Sequence, residues 1–210
     1  MEKKINKTII LIGGAPTTGK STIGRLVAQH LGLPWISTDQ IREIMRTVVK
    51  RKDLPKLFTP EGYDAEKFLT EFSAEQIVKM EMEQGEAVWS AVKKLIEDDW
   101  VWENGFVVEG VNILPRLVAK DFGSNENVRS VFLVDEDGDR IRDVVFTRGL
   151  WDGANTYSDD VKEKEVEWVL LFSHKLKEEA EKYGYPLVEV KKNKDDLAAV
   201  LKVLEEFKNL

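Results

Sequence analysis

The strongest chemical signal in the sequence is a glycine-rich segment near the amino terminus that ends in a lysine and a serine. Residues 14–21 read GAPTTGKS and match the pattern G-x-x-x-x-G-K-[ST] of a phosphate-binding loop (P-loop). Glycines let such a loop turn with its backbone N–H groups pointing inward, which makes an anion site at the positive end of the following helix. The alternative is a glycine turn beside a solvated lysine. It does not explain why an apolar strand pattern precedes the loop and a helical pattern follows it.

The residue types of the loop indicate which ligands it binds. The spacing predicts that Lys20 reaches the β- and γ-phosphates of a nucleoside triphosphate and that the Ser21 hydroxyl binds Mg²⁺. We therefore expect ATP and Mg²⁺ as cofactors. The predicted cofactor-binding residues are Gly14, Ala15, Pro16, Thr17, Thr18, Gly19, Lys20, Ser21 and Thr22.

A carboxylate and an arginine follow the second predicted strand. Asp39 comes directly after that strand, and Arg42 lies one helical turn further on. Phosphoryl transfer to a hydroxyl needs a carboxylate that accepts or orients the proton of the nucleophile, and Asp39 is our candidate. An arginine beside it could clamp an acidic or phosphorylated substrate. The alternative is that Asp39 only favours the helix N-terminus and pairs with Arg42 at the surface.

A second carboxylate, Glu109, ends the third predicted strand. In P-loop proteins an acid at the end of a neighbouring strand orients Mg²⁺ or its bound water. Glu109 is therefore predicted to join Ser21 at the metal and to lie within reach of the substrate. The alternative is an ordinary solvated carboxylate at a strand end.

Arg148 lies in the apolar arc of a predicted helix, together with Ile141, Val144 and Val145. Burying an unpaired arginine is costly, so Arg148 either reaches over the phosphates from a lid or pairs with a structural carboxylate. Both readings stay open. If the first holds, Arg148 is catalytic along with Lys20 and Asp39.

Two further polar residues fall on apolar helix faces. Gln84 lies on the apolar stripe of a long helical segment, where it either touches substrate or belongs to a solvated flank, and the solvated flank is favoured. His30 lies between apolar residues of the first predicted helix, and we expect a satisfied core histidine there.

Strand and helix patterns alternate along the chain. Continuous apolar runs predict five buried strands, and the segments between them have helical periodicity or turn residues. Such alternation predicts an α/β fold with right-handed crossovers, a five-stranded parallel sheet and a helical layer on each face. The predicted strands are 8–12, 34–37, 106–108, 130–134 and 186–190. The predicted helices are 20–31, 38–50, 64–99, one after 134, 161–183 and 195–207, with Thr38 as the cap of the second helix and a loop at 52–64.

Composition limits the classes of partner. The chain has 210 residues, a net charge of -7, two histidines and no cysteine. A net acidic chain argues against a nucleic-acid or anionic-membrane surface, and the lack of cysteine excludes disulfides and thiolate sites. We expect a cytoplasmic protein with a small-molecule substrate and neither nucleic acid nor membrane as partner; a homodimer stays open. One domain is predicted over residues 1–210, with a helical substrate-binding insert at about 40–104 and a lid at about 139–160.

Three segments resemble the 2-phosphoglycerate kinases, and more broadly the chain is similar to gluconate kinase, chloramphenicol phosphotransferase and zeta-toxin-type kinases. The resemblance implies a nucleotide-kinase-like P-loop NTPase fold, with Asp39 as acceptor of the substrate hydroxyl proton and Arg148 as a lid arginine over the phosphates. The segments that carry it are Ile10–Thr22, Ile36–Asp39 with Ile41–Arg46, and Val108–Val111 with Pro115.

The predicted function is ATP- and Mg²⁺-dependent transfer of the γ-phosphate to a hydroxyl of a small, acidic or phosphorylated molecule such as a phosphoglycerate. One alternative is a kinase of nucleosides, nucleotides or an antibiotic, with residues 40–104 as a stacking pocket. Another is a P-loop ATPase switch that acts on a macromolecular partner. The long helical insert favours a small-molecule pocket over the switch.

Overall fold

The computed structural model describes residues 7–98, 100, 102–152, 156–191 and 195–206. Its centre is a five-stranded sheet in which every neighbouring pair of strands is parallel. The strands are β1 (Thr8–Gly14), β2 (Trp35–Ser37), β3 (Gly105–Gly110), β4 (Val128–Val134) and β5 (Leu187–Glu189). They lie in the sheet in the order β2-β3-β1-β4-β5. The predicted α/β class is confirmed.

Eight α-helices of the described chain flank the sheet, and a 3₁₀ turn at Pro55–Phe58 lies between the second and third of them. None of the described helices is long and apolar enough to cross a membrane. The helices are α1 (Lys20–Leu31), α2 (Thr38–Val48), α3 (Ala65–Glu71), α4 (Ala74–Glu97), α5 (Pro115–Phe122), α6 (Gly138–Arg148), α7 (Asp159–Tyr183) and α8 (Asp195–Glu206).

Two hydrophobic cores cover the two faces of the sheet, as the three-layer prediction requires. Side chains alternate along a strand, so Ile10 and Ile12 of β1 face one core, whereas Ile9 and Leu11 face the other. The first core is completed by α1 and α8. The second and larger core is completed by α2 and by the helices from α3 to α7. The carboxyl ends of the strands therefore meet at one edge, between these helical layers.

Several element boundaries differ from the predictions. The predicted helix over 64–99 is two helices, because Ser73 begins a capping box with Gln76 and α4 starts there. Ser37, rather than Thr38, is the N-cap of α2 and forms a capping box with Gln40. Helix α5 was not predicted.

Two predicted environments are also wrong. The segment 52–64, predicted to be a loop, contains the 3₁₀ turn at Pro55–Phe58, and Leu57 and Phe58 of that turn are buried in the core. His30 is exposed and is therefore not a core histidine.

Candidate functional site

The P-loop connects β1 to α1 and adopts the backbone conformation of an anion nest. Thr17 and Gly19 have positive φ angles of 70° and 75°, and glycine adopts this region without the strain that a Cβ atom brings. The Thr18 hydroxyl donates to the Ala15 carbonyl at 2.8 Å, which closes the loop on itself. The amide groups at the N-terminus of α1 therefore face the position where phosphates would bind.

Lys20 lies beside this nest, and its Nζ donates to the Ala15 carbonyl oxygen at 3.3 Å. Burial lowers the pKa of Lys20, and the nearby carboxylates Glu109, Asp39 and Glu81 oppose that change, whereas Arg148 adds to it. A bound triphosphate would bring negative charge next to Lys20 and favour the charged form of its amine. Three carboxyl groups and one guanidinium group are therefore close enough to Lys20 to act on its charge.

Glu109 and Ser21 meet next to the loop. The Ser21 hydroxyl donates to Glu109 Oε2 at 3.2 Å, whereas Glu109 Oε1 has no hydrogen-bond partner among the described residues. Glu109 is 1% exposed, so the solvated alternative is wrong, and burial raises its pKa. Gly24 of α1 permits this approach, since a Cβ atom there would lie 2.8 Å from Glu109 Cγ.

These oxygen donors fit Mg²⁺. Mg²⁺ prefers a few protein oxygens together with phosphate oxygens and water, and the Ser21 hydroxyl and the free oxygen of Glu109 are groups of that kind. Within the described chain no cluster of three or more His, Cys, Asp or Glu is arranged to hold a metal by itself. The metal would therefore share its ligands with the nucleotide.

Asp39 and Arg42 lie on the first turns of α2 and form the ion pair that the alternative reading of these two residues predicts. The catalytic role of Asp39 stays a prediction. Arg42 Nη1 lies 2.9 Å from Asp39 Oδ1 and donates to Gln84 Oε1 at 3.0 Å. Gln84 Nε2 in turn donates to the Thr59 carbonyl. Gln84 is fully buried, so the favoured solvated flank is wrong. Gln84 fixes Arg42 in place rather than lying free in a pocket.

Arg148 is the last residue of α6 and its side chain is exposed, in contrast to its place in the apolar arc of the sequence pattern. Its Nε donates to the Gly149 carbonyl at 3.4 Å, and no carboxylate of the described residues lies within ion-pair distance. Its charge nevertheless acts on Lys20 and on Glu165. A structural ion pair of Arg148 is therefore not formed among the described residues, and its role over the phosphates stays a prediction.

A cavity of about 460 Å³ extends from Arg148 along α6 to the end of β5. It is lined by Arg140, Asp143, Val144, Thr147, Arg148 and Lys191. Arg148, whose charge lowers the pKa of Lys20, is therefore one of the residues that line this cavity.

The segment that follows α6 is fastened to helix α3. Asp152 Oδ2 accepts from the backbone N–H of Ala65 at 3.2 Å and from the Tyr157 hydroxyl at 2.7 Å. The same contact raises the pKa of Tyr157 to about 12. Trp151 packs edge-on against Phe68, with ring centroids 5.6 Å apart. This set of contacts joins the end of α6 to the helices between β2 and β3.

Two carboxyl groups near the site were missed by the sequence analysis. Glu81 of α4 lies one turn before Gln84, and its charge interacts with Lys20, Asp39 and Arg42. Glu165 of α7 is 2% exposed, and the charges of Glu81 and Arg148 act on its pKa in opposite directions. The available signal for Glu81 was its place on the same helix face as Gln84.

Comparison with known proteins identifies the family of the chain and several relatives. The model of the cytidylate kinase-like family matches residues 9–188. A 2-phosphoglycerate kinase of Methanocaldococcus jannaschii is 29% identical over 199 residues, which cover 94% of this chain and 63% of that protein. The chain thus spans less than two thirds of the length of that relative.

Solved structures share the fold. A gluconokinase from Sinorhizobium meliloti matches with a TM-score of 0.55 and 13% identity, over 99% of this chain and 94% of the other. A shikimate kinase from Bacteroides thetaiotaomicron matches with a TM-score of 0.52 and 17% identity, over 97% and 99%. Fold and phosphate loop together define a P-loop protein of the kinase class. The predicted resemblance to small-molecule P-loop kinases is confirmed, and the chain belongs to the cytidylate kinase-like family.

Proposed function

We propose that the protein transfers the γ-phosphate of Mg·ATP to a hydroxyl group of a small molecule that also carries a carboxylate or phosphate. The observation that carries this proposal is the Asp39–Arg42 pair near Lys20, because a carboxylate and a fixed cation beside the phosphate loop would serve as proton acceptor and anion site. The relatives named 2-phosphoglycerate kinase act, by that name, on a molecule with both anionic groups, which supports an anionic acceptor here.

The residues of the chain have separable roles in this reaction. The P-loop amides and Lys20 would hold the β- and γ-phosphates, with Ser21 and Glu109 at the metal. Mg²⁺, when bound, neutralises charge on the phosphate oxygens. The cavity along α6 is the place for the nucleoside, and Arg148 at its end would neutralise charge on the phosphoryl group in transfer.

Asp39 would act on the acceptor. The Asp39 carboxylate accepts the proton of the acceptor hydroxyl as the hydroxyl oxygen bonds to the γ-phosphorus. At the same time the bond between the γ-phosphorus and the bridging oxygen of the β-phosphate breaks. The products are ADP and the phosphorylated acceptor. Arg42, held by Gln84, would bind the anionic group of the acceptor and hold the Asp39 carboxylate in position.

A nucleotide acceptor is the second candidate, because the matching family model is that of cytidylate kinase-like proteins. The phosphate of a nucleotide is also an anionic group that Arg42 would bind, so the Asp39–Arg42 pair is compatible with both candidates. Substrate preference separates them.

The test is Mg·ATP consumption by the purified protein with 2-phosphoglycerate, gluconate, shikimate and cytidine monophosphate. One class should stimulate consumption, and Lys20→Ala and Asp39→Asn should each reduce turnover by about 10²–10⁴-fold. Asp39→Asn should leave ATP affinity nearly unchanged, and Asp53→Asn, at an exposed carboxylate, serves as the matched control. A flat panel with tight ATP binding would contradict the proposal and favour a switch that acts on a macromolecule.

A further inference from the structure

Glu81 lies close enough to the proposed acceptor residues Asp39 and Arg42 to interact with their charges, and its carboxyl group has no hydrogen-bond or ion-pair partner among the described residues. It lies on α4 one turn before Gln84, the residue that holds Arg42, and its side chain is partly buried. Within the described parts of the chain, no hydrogen bond or ion pair engages its carboxyl group. The carboxyl group of Glu81 is therefore available to form a hydrogen bond with a ligand.

The cations near Glu81 are already engaged. Arg42 is shared between Asp39 and Gln84. Arg46 donates to two backbone carbonyls, those of Leu57 at 2.9 Å and Thr59 at 3.0 Å, and to a glutamate side chain. Neither guanidinium reaches Glu81 at ion-pair distance among the described contacts.

Like charges face Glu81 from two other elements. Asp39 lies on α2 and Glu165 lies on α7, and both carboxylates interact with it electrostatically. Lys20 of α1 is the remaining charged group that acts on Glu81, and in the proposed reaction that lysine is occupied by phosphate. Once Mg·ATP and an anionic acceptor are bound, an ionised Glu81 would face additional negative charge with no cation of its own.

We propose that Glu81 is a specificity-determining residue that binds the acceptor as a neutral carboxylic acid and donates its O–H to an anionic oxygen of the acceptor. A neutral carboxyl group has one donor, and an acceptor carboxylate or phosphate has free lone pairs, so the contact satisfies both groups. The like charge of Glu165 on α7 also disfavours ionisation of Glu81. This inference rests on the proposed function, because it concerns the acceptor of that reaction.

Burial supports this protonation state. Burial raises the pKa of Glu81 to about 7, with Asp39 adding to the rise and Arg42, Lys20 and Arg46 opposing it. Burial also raises the pKa of Glu165 to about 7. As the pH rises above this value, Glu81 loses the proton that it needs to donate, and its charge then repels the acceptor. The affinity for the acceptor should therefore fall as the pH rises.

The experiment is the pH dependence of KM for 2-phosphoglycerate, measured for the native protein, for Glu81→Gln and for Glu97→Gln. Above about pH 7 the native KM should rise about tenfold per pH unit, which is the dependence expected for one bound proton. Glutamine keeps a donor and cannot ionise, so Glu81→Gln should have a nearly flat profile and a KM at pH 7 within about threefold of the native value. Glu97 is half-exposed at the far end of the same helix, so Glu97→Gln should have the same pH dependence of KM as the native protein.

A second measurement does not depend on turnover. Calorimetric binding of 2-phosphoglycerate in the presence of a non-hydrolysable Mg·ATP analogue, in two buffers of different ionisation enthalpy, reports proton uptake. The native protein should take up a proton on binding at about pH 8, and Glu81→Gln should not. Equal uptake or equal KM profiles in both proteins would overturn the inference, as would a large rise of KM at pH 7 in Glu81→Gln. A panel in which no acceptor stimulates ATP consumption would instead remove the proposed function itself.

Discussion

Replacing Glu165 by glutamine should make the protein more stable, and only at neutral and alkaline pH. Glu165 is 2% exposed on α7, and its Oε2 accepts from Trp168 Nε1 at 2.6 Å. Burial raises its pKa from 4.5 to about 7, and this rise exceeds the opposing effects of Trp168 and Arg148. The folded state therefore favours the protonated acid much more strongly than the unfolded chain does.

The magnitude follows from linkage. Each pKa unit corresponds to about 1.4 kcal/mol, so a rise of this size corresponds to about 3 kcal/mol. Below about pH 4.5 the acid is protonated in both states and its burial carries no charge penalty. Stability is lost as the pH rises from there through about 7, because the folded protein must then hold a buried carboxylate. Glutamine keeps an oxygen for Trp168 and removes the ionisation.

Urea unfolding at about pH 5 and pH 8 measures the effect as a difference between the two conditions. Glu165→Gln should gain up to about 3 kcal/mol in free energy of unfolding at pH 8 and little at pH 5. Glu167→Gln, at an exposed position on the same helix, should show no such difference. An equal gain at both pH values, or a loss at pH 8, would refute the reasoning.

Two further substitutions test contacts at the site. In Gly24→Ala the new methyl group would meet Glu109 Cγ, so the Mg²⁺ concentration for half-maximal ATP consumption should rise by about tenfold or more. An unchanged Mg²⁺ requirement would show that Glu109 has no part in metal binding. Arg46→Met removes two hydrogen bonds to carbonyl oxygens between α2 and α3 and should lower the free energy of unfolding by about 2–3 kcal/mol. Arg51→Met, at a half-exposed arginine, is the control for that measurement, and equal losses in both variants would contradict the assignment.

The parts of the fold that were predictable are those with a local signal. The P-loop is contiguous, so its residue types alone predict the turn, the anion nest and the helix that follows. Continuous apolar runs likewise predict the strands of a sheet that is buried on both faces. Helix α5 has Pro115 at its first turn, a recognised start signal, but its short length hides the apolar periodicity.

The environments of single side chains were less predictable, because they depend on which elements pack together. Gln84 is buried only because α4 packs against α2 and the segment at residue 59, and the helical stripe does not reveal these neighbours. Arg148 shares an apolar arc in sequence, yet its side chain is exposed at the last residue of α6. Glu81 and Glu165 come close only through the packing of α4 on α7.

The contacts of Asp152 have a thermodynamic consequence for the proposed reaction. They connect the segment after the helix that carries Arg148 to the N-terminus of α3, so a shift of one part that keeps these hydrogen bonds also moves the other. A nucleotide that draws Arg148 inward would therefore also displace α3, in the region that flanks the acceptor residues. Coupling of this kind is reciprocal, so the factor by which ATP changes the affinity for the acceptor must equal the factor by which the acceptor changes the affinity for ATP. Asp152→Ala should bring that shared factor closer to one.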